Sequence, residues 1–177
     1  MSPETIIATT VTTAVGPLSV LVSPDGVVRA AGFASVPTMA ARLEQASGSF
    51  ELREVGADSG DPALAEAVDA LHAYAAGDLD ALGRVRVSQP GGPFMQDVWV
   101  AMRKIAPGST ATYAELAAAA GRPAAVRAAG SACARNLVAP FVPCHRVVRT
   151  GGGLGGYYYG LDVKRSLLQV EKGPAVE

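Results

Sequence analysis

Five consecutive residues, Gln89-Pro90-Gly91-Gly92-Pro93, interrupt any regular helix or strand in the middle of this 177-residue chain. Proline fixes φ and lacks an amide hydrogen, and adjacent glycines are conformationally free, so the segment is typical of a linker. The length allows one domain or two small ones. We predict a first domain over residues 1–88, a linker over 89–93 and a second domain over 94–177.

The charges divide at the same place. Residues 1–92 contain 5 Lys/Arg and 11 Asp/Glu, a net charge of −6, whereas residues 93–177 contain 10 and 5, a net charge of +5. Between Arg122 and Arg149 there are five arginines and no acidic residue. This division indicates that the second half meets a polyanion, although two unrelated surfaces would give the same counts.

Several classes of protein are disfavoured. No apolar stretch approaches the ~20 residues that a membrane helix requires, and the first residues lack the basic and apolar regions of a signal peptide. Two cysteines, Cys133 and Cys144, and two histidines do not form a zinc-ligand pattern. A disulfide between the cysteines could form, but a cytosolic chain would keep both reduced. We therefore expect a cytoplasmic protein with no metal and no membrane partner.

The pattern of residues predicts an α/β fold. In the first half, the pattern predicts strands within residues 8–34, helices over 37–46 and 62–76, and a loop over 47–61. The second half is mostly helical, with helices over 94–105, 113–120, 124–136 and 162–171. Thr112 and Glu115 have the spacing of a capping box at the start of the second of these. Because the two middle helices are short and joined by Gly121-Arg122-Pro123, they predict a helix-turn-helix.

The strongest indication of chemistry is Pro143-Cys144-His145-Arg146-Val147. A thiol is nucleophilic as the thiolate, and an imidazole and positive charge nearby favour that form. The alternative is that Cys144 is a small buried apolar side chain. Since neighbours in an extended segment point to opposite faces, we expect a bridging water between Cys144 and His145. Glu171, at the end of the last helix, is a candidate partner for His145, or else a solvated charge.

Other features have both structural and functional interpretations. The helix that contains Arg127 has almost only small side chains, which suits close core packing or approach to a narrow minor groove. Tyr113 is most simply an aromatic residue at the edge of the core. Asn136 either ends a helix or holds the segment that carries Cys144. The glycine-rich residues 151–156, followed by three tyrosines, are either a surface loop or a lid over a flat ligand.

Taken together, these residues resemble the 6-O-alkylguanine-DNA alkyltransferases, the methylated-DNA–protein-cysteine methyltransferases. The resemblance covers nearly all of the second half, and Pro-Cys-His-Arg-Val is its most specific part. It also includes Phe94-Met95-Gln96, Thr112-Tyr113, Arg127-Ala128, Asn136, Gly155-Gly156-Tyr157 and Glu171. The first half is only loosely similar, and the resemblance implies that it is a small ribonuclease H-like α/β domain, followed by a mostly helical domain with a helix-turn-helix.

The resemblance implies direct-reversal DNA repair without a cofactor. The alkyl group, typically methyl, would move from 6-O-alkylguanine in double-stranded DNA to Cys144, and the stable thioether would limit a monomeric protein to one reaction. His145, oriented by Glu171, would accept the thiol proton, while Tyr113 would protonate the leaving guanine. Asn136 would support the active-site turn.

The resemblance also assigns the remaining contacts with DNA and with the damaged base. Arg127, Ala128 and Ser131 would contact the minor groove, and Arg127 would fill the space left by a flipped nucleotide. The implied base pocket is lined by Cys133, Val147, Leu154, Tyr157, Tyr158 and Tyr159.

Two departures from the family pattern qualify these expectations. Leu137 follows Asn136 where proline is usual, and Tyr158-Tyr159 stand where small residues are usual, which should narrow the pocket against large alkyl groups.

The sequence leaves two rival functions open. A protein that binds lesions without repairing them would transfer no methyl group, and a Cys-His hydrolase would turn over many times.

Overall fold

The computed structural model describes residues 2–173, which form an α/β fold. The strands are β1 (Thr5–Thr13), β2 (Gly16–Val22), β3 (Val28–Gly32), β4 (Glu51–Glu54), β5 (Ala111–Thr112) and β6 (Val147–Val148). The α-helices are α1 (Val36–Ser47), α2 (Ala65–Ala75), α3 (Pro93–Arg103), α4 (Tyr113–Ala119), α5 (Val126–Ala134) and α6 (Leu161–Lys172). Among these residues, none of the helices has both the length and the apolar character needed to cross a bilayer.

The chain divides into two compact units. One contains the chain up to Pro90 together with Leu137–Phe141, and the other contains Gly91–Asn136 and the chain from Val142 onward. The short segment joins the first unit through hydrogen bonds that no local pattern indicates. The Leu137 carbonyl accepts the Ala31 N–H at 2.9 Å, and the Leu137 N–H donates to Gln89 Oε1 at 2.7 Å.

The first unit is built on a mixed sheet in the order β3-β2-β1-β4. The predicted strands within residues 8–34 form the antiparallel β1, β2 and β3. The fourth strand, β4, lies in the segment predicted to be a loop. It pairs in parallel with β1, from Thr5 opposite Glu51 to Ala8 opposite Glu54. All four β4 side chains are exposed, so it lacks the alternation of polar and apolar residues that reveals a strand.

Helix α1 lies beside this sheet because its sequence has both a start signal and an apolar face. The Ser35 side chain accepts the Thr38 N–H and caps the helix. Val36, Met39 and Leu43 recur on one side and are buried, as the spacing of an amphipathic helix requires.

The helices of the second unit pack closely because α5 has small side chains. Ala129 and Ala132 are completely buried, and Trp99 of α3 donates its indole N–H to the Ala132 carbonyl at 2.9 Å. The predicted capping box is confirmed: the Glu115 N–H donates to Thr112 Oγ1 at 3.0 Å, and the Thr112 N–H donates to Glu115 Oε1 at 3.1 Å. This cap sets the start of α4 at Tyr113.

The segment before β6 was expected to be extended, but it contains a short 3₁₀ turn over Cys144–Arg146. Pro143 has φ −87° and ψ 68°, close to an inverse γ-turn, and the Cys144 N–H donates to the Val142 carbonyl at 3.0 Å. Residue 147 then enters β6, which pairs in parallel with β5. Adjacent residues on this tight turn therefore do not alternate as they would in a strand.

Candidate active site

A cavity of about 490 Å³ in the second unit contains the Cys144 side chain in its wall. Of the residues that the sequence singled out, the cavity brings together Tyr113, Arg127, Cys133, Asn136, Cys144, Tyr157, Tyr158 and Tyr159. A residue of the predicted loop, Gly156, also lies in the wall, and four further residues had not been predicted: Val126, Gly130, Ala134 and Arg149. Their common signal is position, since each lies within two residues of a predicted one.

The turn that carries Cys144 is held from behind by Asn136. The Asn136 Nδ2 donates to the Val142 carbonyl at 2.8 Å, and Asn136 is almost completely buried. The same carbonyl accepts the Cys144 N–H, so both lone pairs of one oxygen are used. Cys144 itself is partly exposed at the cavity wall and forms no disulfide.

Behind Cys144, two basic side chains converge on the carboxylate of Glu171. The Oε2 atom of Glu171 lies 2.9 Å from His145 Nε2 and accepts a hydrogen bond from Arg146 Nη2 at 2.9 Å. The Oε1 atom accepts from Arg146 Nε at 2.8 Å. The side chains of His145 and Glu171 are both fully buried, so Glu171 is not the solvated helix-end charge that the sequence left as the alternative.

Burial and these contacts decide which forms are charged. Desolvation opposes ionisation of Glu171, but the hydrogen bonds from His145 and Arg146, together with the charge of Arg146, outweigh it and lower its pKa to about 2. Desolvation lowers the pKa of His145, an effect that Glu171 only partly opposes. His145 is thus a neutral imidazole beside a carboxylate. Its Nδ1 is buried without a hydrogen-bond partner in the described part of the chain.

The phenol of Tyr113 lines the same cavity and lies against the glycine-rich loop. A Cβ atom added to Gly155, which has φ +74°, would lie 2.7 Å from the Tyr113 hydroxyl, so only glycine permits this approach. Burial raises the pKa of Tyr113, and the nearby thiols add to that effect. Tyr113 therefore keeps its proton at neutral pH and can donate it into the cavity.

The second thiol of the cavity, Cys133, is held in its protonated form. Burial, with a smaller effect from Cys144, raises the pKa of Cys133 to about 12. Cys133 therefore stays a protonated thiol at neutral pH and is a poor nucleophile. Within residues 2–173, no three His, Cys, Asp or Glu side chains come together in a way that could hold a metal ion.

Two residues expected in the pocket wall lie elsewhere. Val147 is completely buried in β6 and does not line the described cavity, and neither does Leu154. Their backbone carbonyls bind the ammonium group of Lys164, which also donates to the Gly156 carbonyl at 3.1 Å. The backbone around both residues therefore anchors the loop, and contact of their side chains with a bound base stays a prediction.

The outer face of α5 is open to solvent beside the cavity. Arg127, Ala128 and Ser131 are exposed, while Ala129 and Ala132 face the core. The two interpretations of this small-residue helix thus apply to different faces. Four of the five arginines between 122 and 149 are exposed, and the fifth, Arg146, is buried against Glu171. A sequence count therefore overstates the charge available to a polyanion by one.

Comparison with known proteins identifies the family. A family model described as "6-O-methylguanine DNA methyltransferase, DNA binding domain" matches residues 93–173. The methylated-DNA–protein-cysteine methyltransferase of Mycobacterium leprae is 41% identical over 150 residues, covering 85% of this chain and 88% of that protein. The Mycobacterium bovis protein of the same name is 40% identical over 153 residues, covering 86% and 90%.

Solved structures agree with these relatives. The crystal structure of Mycobacterium tuberculosis O6-methylguanine methyltransferase has a TM-score of 0.73 and 30% identity, covering 97% of this chain and 95% of that chain. The structure of Mycobacterium tuberculosis OGT in complex with DNA has a TM-score of 0.72 and 29% identity, covering 94% and 92%. The resemblance seen in the sequence is confirmed, and this chain belongs to the methylated-DNA–protein-cysteine methyltransferase family.

Proposed function

We propose that Cys144 is the residue of this chain that accepts the methyl group. The comparisons support the predicted reaction, which is DNA repair by transfer of a methyl group from 6-O-methylguanine in DNA to a cysteine of the protein. In this family each protein molecule reacts once. The choice of cysteine is supported by one observation above all. Of the two cysteines in the chain, only Cys144 is followed directly by a histidine, His145. The structure buries this histidine and places it against the buried carboxylate of Glu171.

The proton and electron movements follow from this geometry. The Cys144 S–H gives its proton, through a water, to the unpartnered Nδ1 of His145, while Glu171 stabilises the imidazolium through Nε2. The thiolate attacks the methyl carbon, an S–C bond forms, and the bond from carbon to the guanine oxygen breaks. Tyr113 donates a hydrogen bond or its proton to a ring nitrogen of the departing guanine. The thioether has no leaving group that water could displace, so the thiol is not regenerated.

We also propose that α4 and α5 form a helix-turn-helix that contacts the minor groove through the exposed face of α5. The base must leave the duplex to enter the cavity, and Arg127, at the rim, is the side chain that would fill its place in the stack. Ala128 and Ser131 are small and exposed, which lets the helix backbone approach the groove. Asn136 supports the turn, and Tyr157, Tyr158 and Tyr159 cover the bound base.

The domain assignment remains part of the same proposal. Residues 1–88 would form a ribonuclease H-like α/β domain, 89–93 a linker, and 94–177 the domain that binds DNA and reacts. We further propose a cytoplasmic location, because the reaction needs a reduced thiol.

The decisive experiment is mass spectrometry of the digested protein after incubation with duplex DNA that contains one 6-O-methylguanine. The expected result is a single added methyl group on the peptide that contains Cys144, at one equivalent per protein. Cys133→Ser should be methylated to the same extent, whereas Cys144→Ser should not be methylated. Methylation of the Cys133 peptide instead, or loss of the DNA methyl group without protein methylation, would overturn the proposal.

A second experiment tests the role of Tyr113 without replacing it. Gly155→Ala forces the Tyr113 phenol to move, because the new methyl group would overlap its hydroxyl. Gly153→Ala is the matched control in the same loop, since Gly153 does not line the cavity and the atom nearest to its added Cβ is an Arg149 side-chain carbon at an ordinary 3.5 Å. We expect slower methyl transfer in Gly155→Ala, on the order of tenfold for a group displaced by about 1 Å. Equal rates for the two variants would exclude a role for the position of Tyr113.

A further inference from the structure

The described wall of the cavity contains two charged side chains, Arg127 and Arg149, and both are positive. Arg127 already has a role in the proposed function, as the side chain that takes the place of the flipped nucleotide in the stack. Arg149 has no role in those steps. It lines the cavity and is also exposed, so it belongs to the part of the wall that opens to solvent.

Two neighbouring strands fix where Arg149 lies. Strands β5 and β6 pair in parallel, with Thr112 opposite Val148. The next residue of each strand, Tyr113 and Arg149, lines the cavity. The Arg149 N–H donates to the Gly153 carbonyl at 2.8 Å, which closes a tight turn directly after β6. The backbone of Arg149 is therefore held on one side by the sheet and on the other by this turn.

The charge of Arg149 reaches other groups of the cavity but has no carboxylate partner. Burial raises the pKa of Tyr113, and the guanidinium of Arg149 partly opposes that effect. Burial also lowers the pKa of Lys164, to which Arg149 adds. In the described part of the chain Arg149 forms no ion pair, whereas the exposed Arg165 is paired with Asp162. An arginine without an acidic partner is available to an anion that the ligand supplies.

A flipped nucleotide supplies such an anion. It rotates about its backbone and stays joined to its strand, so only the sugar separates the base in the cavity from the phosphates on either side. Those phosphates stay outside the cavity, where Arg149 is exposed. Contacts with phosphates hold a nucleic acid in position without reading its sequence, and a planar guanidinium binds two phosphate oxygens at once.

We propose that Arg149 binds a phosphate group next to the flipped nucleotide and thereby holds the damaged strand at the mouth of the cavity. This inference rests on the proposed entry of a flipped base into the cavity. Arg149 makes and breaks no covalent bond, and it acts only on the backbone of the damaged strand. Because every nucleotide has a phosphate, this contact is the same whichever alkyl group the base carries.

The test changes the phosphate as well as the protein. Three duplexes each contain one 6-O-methylguanine: one is unmodified, one has an uncharged methylphosphonate on the 5′ side of the damaged nucleotide, and one has it on the 3′ side. Mass spectrometry of the full-length protein follows the rate of methyl transfer for the wild type and Arg149→Met. With the unmodified duplex, Arg149→Met should react on the order of tenfold more slowly, because a charge-assisted hydrogen bond is lost.

The modified duplexes show which phosphate is bound. At one of the two positions, the methylphosphonate should slow the wild type by a similar factor and slow Arg149→Met by much less, since that variant has already lost the contact. Arg165→Met, which removes an exposed arginine that does not line the cavity, is the matched control. It should react like the wild type with all three duplexes.

Two results would overturn the inference while the wild type transfers the methyl group. One is an equal rate for Arg149→Met and Arg165→Met with the unmodified duplex. The other is a methylphosphonate effect that is as large in Arg149→Met as in the wild type at both positions. Since Arg149 is exposed, its replacement leaves no buried group unpaired, and the variant should fold. A wild type that transfers no methyl group from the unmodified duplex would overturn the proposed function, and this inference with it.

Discussion

At the scale of single residues, Glu171 lies in the last turn of α6, where a negative charge opposes the helix dipole. The structure shows why it is tolerated: two basic side chains bind it, and both come from one tripeptide, Cys144–Arg146. The sequence indicated the chemistry of Cys144 and His145 through their adjacency. It could not indicate the burial of Arg146, because the contact joins residues 25 positions apart.

The titration of this buried cluster predicts how stability depends on pH. The folded state lowers the pKa of Glu171 from 4.5 to about 2, so the stability gained from its ionised form is complete above pH 4.5 and is lost as the pH falls toward 2. The folded state also lowers the pKa of His145 below 6.5. The unfolded chain therefore takes up a proton as the pH falls below 6.5, and this destabilises the fold further.

Urea unfolding measured between pH 7 and pH 3 checks this prediction. The wild-type free energy of unfolding should decrease steadily as the pH is lowered below 6.5. Glu171→Gln cannot titrate at this position and should lack the part of the decrease that occurs below pH 4.5, which amounts to about 3 kcal/mol at full protonation. Parallel curves for the two proteins would show that Glu171 has no altered pKa in the folded state.

At the scale of elements, the helices were predicted well because each has a local signal, a cap or an apolar stripe. The exposed strand β4 was missed because pairing with β1 holds it through backbone hydrogen bonds alone. The turn at Cys144 was also missed, since the same proline signal suits an extended segment and a 3₁₀ turn. The buried stripe of α6 contains Lys164 and Glu171, so a pattern based on apolar residues describes it incompletely.

The capping box of α4 predicts a measurable loss of stability. Thr112→Ala leaves the Glu115 N–H without its side-chain acceptor and should lower the free energy of unfolding by about 1 kcal/mol. Thr110→Ala, at an exposed position just before β5, is the matched control and should change stability by less than about 0.5 kcal/mol. Equal stabilities of the two variants in chemical denaturation would mean that the cap has no net effect.

The tyrosines of the loop before α6 predict which alkyl groups fit. The ring of Tyr159 makes edge contacts with two other tyrosine rings. Its centroid lies 5.7 Å from that of Tyr157 and 4.9 Å from that of Tyr158, and all three residues line the cavity. Replacing Tyr158 and Tyr159 with Ser and Gly should increase the rate with 6-O-benzylguanine more than the rate with 6-O-methylguanine. Equal increases for both substrates would contradict a steric role for these rings.

At the scale of the whole molecule, the division of charge predicts a salt-dependent interaction with DNA through the second half of the chain. Its four exposed arginines between 122 and 149 include Arg127 and Arg149, which both line the cavity. Each contact with a phosphate contributes a slope of about −0.9 to a plot of log affinity against log salt concentration. Arg149→Ala should make the slope less negative by about 1, as measured by fluorescence anisotropy, whereas Arg165→Ala should not.

The sequence also predicted two domains, and that boundary stays a prediction. The compact units of the structure differ from a simple cut at the linker, because residues 137–141 belong with the first unit. Such an exchange depends on the hydrogen bond that Leu137 accepts from Ala31 and on the one that it donates to Gln89, and both partners are far from Leu137 in the sequence. Composition and charge predict a linker, but they cannot indicate that a short segment of the second half belongs with the first unit.

Helix α6 limits how genes for such a chain can diverge. Lys164, which anchors the loop, and Glu171, which binds the imidazole, lie seven residues apart on one stripe of the helix. Inserting or deleting one residue between them would rotate one relative to the other by about 100°. Substitutions can accumulate on the outer side of this helix over evolutionary time, but changes in its length at this place should be eliminated by selection.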